Sequence, residues 1–186
     1  MAKLIGSAPN QISTNGDLGK MAFEDKVSVA NLNATGTKDA TTFLRGDNTF
    51  AEAGGGKVLQ VVTATDSTER STTSTSFVTG SNTLSVSITP SSASNKIFVA
   101  VSSSIYGSGT FSFFYTIFRD AVNIGASDGM QRLYTSLYVP MAMSILDSPN
   151  TTSATTYQVY MKSNGGTAAL NWGNLKGTIT AFEIAG

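Results

Sequence analysis

From Lys57 to the C-terminus the chain repeats one pattern: apolar residues at alternate positions, separated by Ser, Thr, Gly or Asn. A chain that keeps a period of two over this distance can form little except β-sheet. Thr83 to Thr89 sets Leu84, Val86 and Ile88 against Ser85 and Ser87 before Pro90 stops the run. Lys96 to Ser103 places Ile97, Val99 and Val101 on one face. Comparable runs cover Lys57 to Thr65, Gln131 to Val139, Met141 to Leu146, Thr155 to Lys162, Thr167 to Trp172 and Thr178 to Ala185. Asp66 to Ser76 reads as a polar strand edge or loop. Turn residues separate the runs, as at Ser148-Pro149-Asn150 and Asn164-Gly165-Gly166. No segment after Gly56 has a helical period. About nine strands at this spacing predict an all-β, jelly-roll-like sandwich.

One run differs from the rest. Between Gly109 and Asp120, Phe111, Phe113, Tyr115 and Ile117 share one side while Phe114 and Phe118 share the other. A strand apolar on both faces has to be covered on both. One face joins the sandwich core; the second needs either another layer of this chain or a neighbouring subunit. Phe111, Phe114 and Phe118 are the candidate subunit-interface residues, the interface being that of a trimer if the resemblance described below holds.

Ahead of this region lies a segment of different chemistry. Fifteen of the 24 charged residues fall in the first 70 positions. Gly54, Gly55 and Gly56 free the backbone of side-chain restraint and mark the domain boundary. The expected organisation is an arm over residues 1–35, a connector and hinge over 36–56, and a β head over 57–186. The arm scatters Leu4, Ile5 and Ile12 among turn formers, too thinly for a core of its own, so it is either mobile or ordered by a partner. Asp17 can cap a short helix over Leu18 to Asp25 with Leu18 and Met21 one turn apart. Leu4, Ile5, Ile12, Leu18 and Met21 are the candidate attachment residues.

Composition narrows the function. The chain has no Cys and no His, which removes disulfides, thiolate metal sites, the commonest general base and the commonest transition-metal ligand. The last 116 residues contain only Asp120, Asp128, Asp147 and Glu183 as acids. No enzyme activity, cofactor or metal site is expected. A net charge of zero argues against nucleic-acid binding, and no apolar run is long enough to span a bilayer. Ser and Thr make up 49 of the 186 residues, which hydrates the surface of a sandwich without strong electrostatics.

The segment LGKMAFEDKVSVANLNATGTKDATTFLRGDNTFAEA, Leu18 to Ala53, resembles the connector of many tailed-phage fibre and appendage proteins. There an LGxMA element precedes an NLNATGT-like stretch, a TTFLRGDxTF/W element and a Gly-rich break. The head resembles C-terminal domains of small phage virion proteins through Val86 to Ser92, Leu146 to Pro149 with Thr151 to Tyr157, and Gly177 to Ile184. Here the connector carries Asn48 where a second Gly is frequent and Phe50 where Trp is frequent. The resemblance implies a non-enzymatic homotrimer, assembled in the host cytoplasm and carried on the particle exterior. Its N-terminus would dock on another virion protein and its β head would project as a tail fibre or fibre-like appendage. A capsid decoration, cement or head-fibre protein is the alternative, and a polysaccharide-degrading tailspike is disfavoured by the absence of a β-helix repeat and of a carboxylate pair.

The remaining motifs have competing readings. Arg45-Gly46-Asp47 is formally an integrin-type tripeptide, but inside this connector it reads as a tight turn between Phe43 and Phe50. Asp120 and Asp128 flank a loop that lacks the calcium-loop pattern, so a hairpin is expected. Met141 and Met143 are expected to fill core or intersubunit space. Trp172, Tyr106, Tyr134 and Tyr138 could form a sugar-stacking platform if clustered at the distal end, but core is the preferred reading for Tyr134 and Tyr138. Trp172 and Tyr106 lie beside turn residues and are the better surface aromatics, suited to stacking on a host cell-surface glycan. The candidate host-contact residues are Tyr106, Ser108, Ser127, Asp128, Asn171, Trp172 and Asn174, in loops at the end of the head farthest from the glycine hinge.

Overall fold

The computed structural model describes residues 34–37, 39, 42–52, 56–134 and 136–186. The chain divides between Gly54 and Gly55 into two units. The predicted helix and the attachment candidates Leu4, Ile5, Ile12, Leu18 and Met21 lie outside the described residues.

In the first unit, β1 (Thr42–Leu44) and β2 (Phe50–Glu52) form an antiparallel hairpin with Leu44 opposite Phe50. The Arg-Gly-Asp segment is its turn. The Arg45 N–H donates to the Thr49 carbonyl at 2.8 Å, and the Asn48 N–H donates to the Arg45 carbonyl at 3.0 Å. Asn48 has φ of +63°, a left-handed conformation that Asn tolerates better than most residues and that explains Gly as the frequent occupant. Asp47 caps the turn by accepting from the Thr49 hydroxyl at 2.6 Å. Phe43 is exposed, so it does not anchor the turn as the sequence suggests.

The second unit is a sandwich of two antiparallel sheets. The first sheet contains β3 (Val58–Asp66), β4 (Arg70–Thr72), β6 (Lys96–Gly107), β10 (Tyr138–Asp147), β12 (Ala168–Leu170) and β13 (Gly177–Ile184). Its spine is β6, which pairs along one side with β10 and along the other first with β13 and then with β12. The second sheet contains β5 (Ser85–Ile88), β7 (Ser112–Arg119), β8 (Val122–Asn123), β9 (Gln131–Tyr134) and β11 (Thr155–Ser163), with β11 between β5 and β7.

Alternation decides what is inside. Ile97, Val99, Val101 and Ile105 of β6 face Phe113, Tyr115 and Ile117 of β7 and Tyr157, Val159 and Met161 of β11 in one buried core, which Met141 and Met143 of β10 complete. Each such side chain contributes about 2 kcal/mol by leaving water. The Tyr115 hydroxyl remains satisfied there, donating across the sandwich to the Ala169 carbonyl at 2.9 Å, and burial raises its pKa. At the sandwich edge, Arg119 of β7 donates to both carboxylate oxygens of Asp147 of β10 at 2.9 Å, and the Tyr157 hydroxyl donates to the same carboxylate at 2.7 Å. Three side chains thereby join the two sheets.

Three expectations change. The run from Gln131 to Val139 falls in two strands, one ending at Tyr134 and the next starting at Tyr138, and these two tyrosines stand outside the core at 54% and 72% exposure. Strand β10 then continues through Pro140, which is permitted because β10 pairs only with β6 and its other edge needs no N–H donor there. The outer face of β7 is covered by this same chain. Phe118 stacks on Tyr160 at a centroid distance of 3.9 Å and meets the edge of Phe77 at 6.0 Å, while the Lys162 ammonium lies 4.9 Å from the Phe114 ring. Phe111 precedes β7 and is exposed. Within the single chain Phe114 and Phe118 are thereby half-buried.

Candidate functional site

Strands β12 and β13 occupy the same side of β6 but do not meet end to end. Leu170 pairs with Ile105 and Thr178 with Ser102, so Asn171 to Lys176 must leave the sheet and return to it at Gly177. Asn171 makes the exit with φ of +54°. Its N–H donates to the Ser103 hydroxyl at 3.2 Å in place of a ladder bond. That hydroxyl donates to the Asn171 side-chain oxygen at 2.8 Å, and the Asn171 amide group donates to the Thr68 carbonyl at 3.2 Å. Gly177 admits this arrangement, since a Cβ there would come within 2.3 Å of the Asn171 side-chain oxygen.

The excursion forms a single 3-10 turn over Trp172–Asn174 that carries the indole over the outer face of the sheet. Trp172 stacks on Tyr106 with ring centroids 4.1 Å apart and planes 21° from parallel. Its carbonyl accepts from the Ser104 hydroxyl at 2.9 Å. Glu69 ties down the far side of the turn, its carboxylate accepting from the Gly173 N–H at 3.0 Å and its own N–H donating to the Asn174 side chain at 3.1 Å.

Beside the turn lies a groove of about 440 Å³ whose lining includes Ser102, Ser104, Tyr138, Pro140, Trp172 and Lys176. Register explains the set. Tyr138, Pro140 and Ala142 lie opposite Tyr106, Ser104 and Ser102, all on the outward-facing phase of their strands. The groove is at the end of the sheet away from the chain entry. Val58 and Lys96 both pair with Ile184 at the entry end, and the ten steps from Lys96 to Tyr106 cover roughly 30 Å at the rise of a strand.

The sequence candidates therefore separate. Tyr106 and Trp172 come together as a half-buried pair, with Asn174 exposed on the same turn. Asn171 is fully buried and serves to shape that turn, so it offers no contact surface. Ser108 is bonded into the start of β12, accepting from the Thr167 N–H at 2.7 Å. Ser127 and Asp128 belong to the second sheet, where Asp128 pairs with Lys162 at 3.2 Å beside a smaller cavity of about 310 Å³. Pro140, Ser102 and Ser104 carry no such signal in the sequence, and Tyr138, for which the sequence favours core over a sugar-stacking platform with Trp172 and Tyr106, instead lines the groove. Met141 and Met143 held the signal, because carrying their inward phase back three positions puts Tyr138 outside.

Opposite the groove, the same outer face carries an apolar row. Leu146, Phe98, Phe182 and Val61 lie side by side across four strands, and Leu146 and Val61 are 51% and 53% exposed. Phe98 and Phe182 contact each other at 6.1 Å. Among the described residues no cluster of three or more acidic residues is placed to hold a metal ion, and no helix is long and apolar enough to cross a membrane.

No protein-family model matches the chain, and no curated protein matches it. Among solved structures, one similarity is to a chain described as "Structure of infectious bursal disease virus Gx strain", at 14% identity and a TM-score of 0.30. The match covers 74% of this chain and 38% of that one, so this chain spans well under half the length of its structural neighbour.

Proposed function

We propose that the protein is a non-enzymatic structural component of a phage virion, a homotrimeric fibre or fibre-like appendage. In this reading it is fastened to another virion protein by residues 1–35 and carries its β head on the particle exterior for contact with the host surface. The observation that carries the reading is the division of the chain at the glycine run. On one side stand the fibre-type connector residues with their Arg45–Thr49 turn; on the other stands a sandwich surfaced mainly by hydroxyls. The head has its own closed core, and its exposed apolar row lies at the end where the chain enters from Gly56. Copies held together by their N-terminal parts would bring those rows against one another, which makes a second copy of this chain the occupant of that surface.

Deleting residues 1–35 tests the attachment role. The truncated protein is expected to keep the β circular-dichroism spectrum and melting temperature of the intact head and to be missing from purified particles. Normal incorporation of the truncated chain would overturn the assignment.

A further inference from the structure

We infer that the groove between Tyr138 and Trp172 binds one pyranose unit of a carbohydrate, an inference that rests on the host-contact reading only for the source of that sugar. A pyranose presents two surfaces, a face of C–H groups and a rim of hydroxyls. The first needs a flat apolar partner and the second needs hydrogen-bonding groups close by. The groove supplies both. Tyr138 and Trp172 provide aromatic surface and Pro140 a further apolar wall, while Ser102 and Ser104 bring hydroxyls between them. Its volume of about 440 Å³ falls in the range of small-ligand sites and accommodates a single sugar ring with its substituents.

Rigidity and charge support the same ligand. Trp172 is fixed from behind by Tyr106, through its carbonyl by Ser104 and through the next two residues by Glu69, so little freedom is lost when a ring stacks beside it. A structural indole is ordinarily driven into the core; this one is held half-exposed by a turn that a buried Asn and a close-packed Gly make possible. Lys176 is the only charged residue in the lining, and no carboxylate joins it. A cationic ligand would find no counter-charge and a polyanion only one, whereas a uronic-acid pyranose matches the single charge and a neutral one leaves the exposed Lys176 ammonium in water.

Trp172 is the only tryptophan in the chain, so its fluorescence reports on the groove directly. Purified full-length protein is titrated with the methyl glycosides of glucose, galactose, mannose, rhamnose and N-acetylglucosamine, and with glucuronic acid, while saturation-transfer NMR is recorded on the same samples. At least one sugar is expected to shift the emission and to receive saturation. Tyr138→Ser, at a side chain 72% exposed, is expected to weaken that sugar roughly tenfold with the melting temperature unchanged. Tyr134→Ser, on the other sheet, is the control and is expected to leave binding as it was. No response to any of the six sugars up to about 50 mM, at the weak end of single-site affinity, would overturn the proposal. So would a response that Tyr138→Ser leaves intact. The assay uses isolated protein, so its failure leaves the virion assignment standing, and failure of that assignment leaves a measured sugar site standing.

Discussion

Glu183 shows how much a single residue of this head depends on the fold. It points into the sandwich from β13 and is 1% exposed. Burial by itself would raise its pKa, but Asn95 and Gln60 each donate to the carboxylate at 2.6 Å, and the Ser91 hydroxyl and N–H donate at 2.7 and 2.6 Å. These four bonds outweigh burial and hold the group at about 2, against an ordinary 4.5. Because the folded-state value is the lower one, the stabilisation is complete above the unfolded value and is lost as pH falls from about 4.5 towards 2. It amounts to about 3 kcal/mol. Thermal melts from pH 7 to pH 2 are expected to show that loss. Glu183→Gln is expected to lower stability at pH 7 by a similar amount and to flatten the acid limb. A residual slope is expected from Asp66, which the Thr83 and Thr68 N–H groups hold low despite its burial. An unchanged acid limb in Glu183→Gln would refute this assignment. No sequence pattern announces Glu183, since its partners lie 88 to 123 residues away along the chain.

At the level of elements, the sequence is informative where one face alone is buried. Thr83–Thr89, Lys96–Ser103 and the Met141–Met143 pair are legible because a period of two separates core from solvent without ambiguity. Legibility fails where phase is interrupted. The passage from β9 to β10 lies inside a run that reads as continuous, which misplaces Tyr134 and Tyr138 in the core. It fails again at Asn171, where a turn residue is buried because a neighbouring strand leaves a gap that only tertiary pairing creates. Trp172 of the groove, with the Tyr106 that backs it, is consequently visible from sequence, while Ser102, Ser104 and Pro140 of its lining are not. Joining the sheets is also a tertiary matter. Asp147→Asn removes the charge that Arg119 and Tyr157 both address, and the expected cost is about 2 kcal/mol. Chemical denaturation checks it, and Arg119→Met combined with Asp147→Asn is expected to cost less than the sum of the two alone.

The β head sets an aromatic groove at one end of a sheet and an apolar row at the other, with Ser, Thr and Ala between them. That polarity fits a part held at one end and exposed at the other. If the row is where copies meet, Val61→Lys with Leu146→Lys is expected to convert a trimer into monomers on sedimentation. The head of the double variant should melt within a few degrees of its trimer-free reference, because both side chains are exposed in the single chain. A stable monomer from the unmodified protein would remove the trimer from the account.

The central claim concerns place, and imaging particles with gold-labelled antibody raised against residues 57–186 tests it most directly. Label on projections from the tail is expected, in a number divisible by three per set of appendages. Label spread over the capsid shell, or no label on intact particles, would contradict the claim.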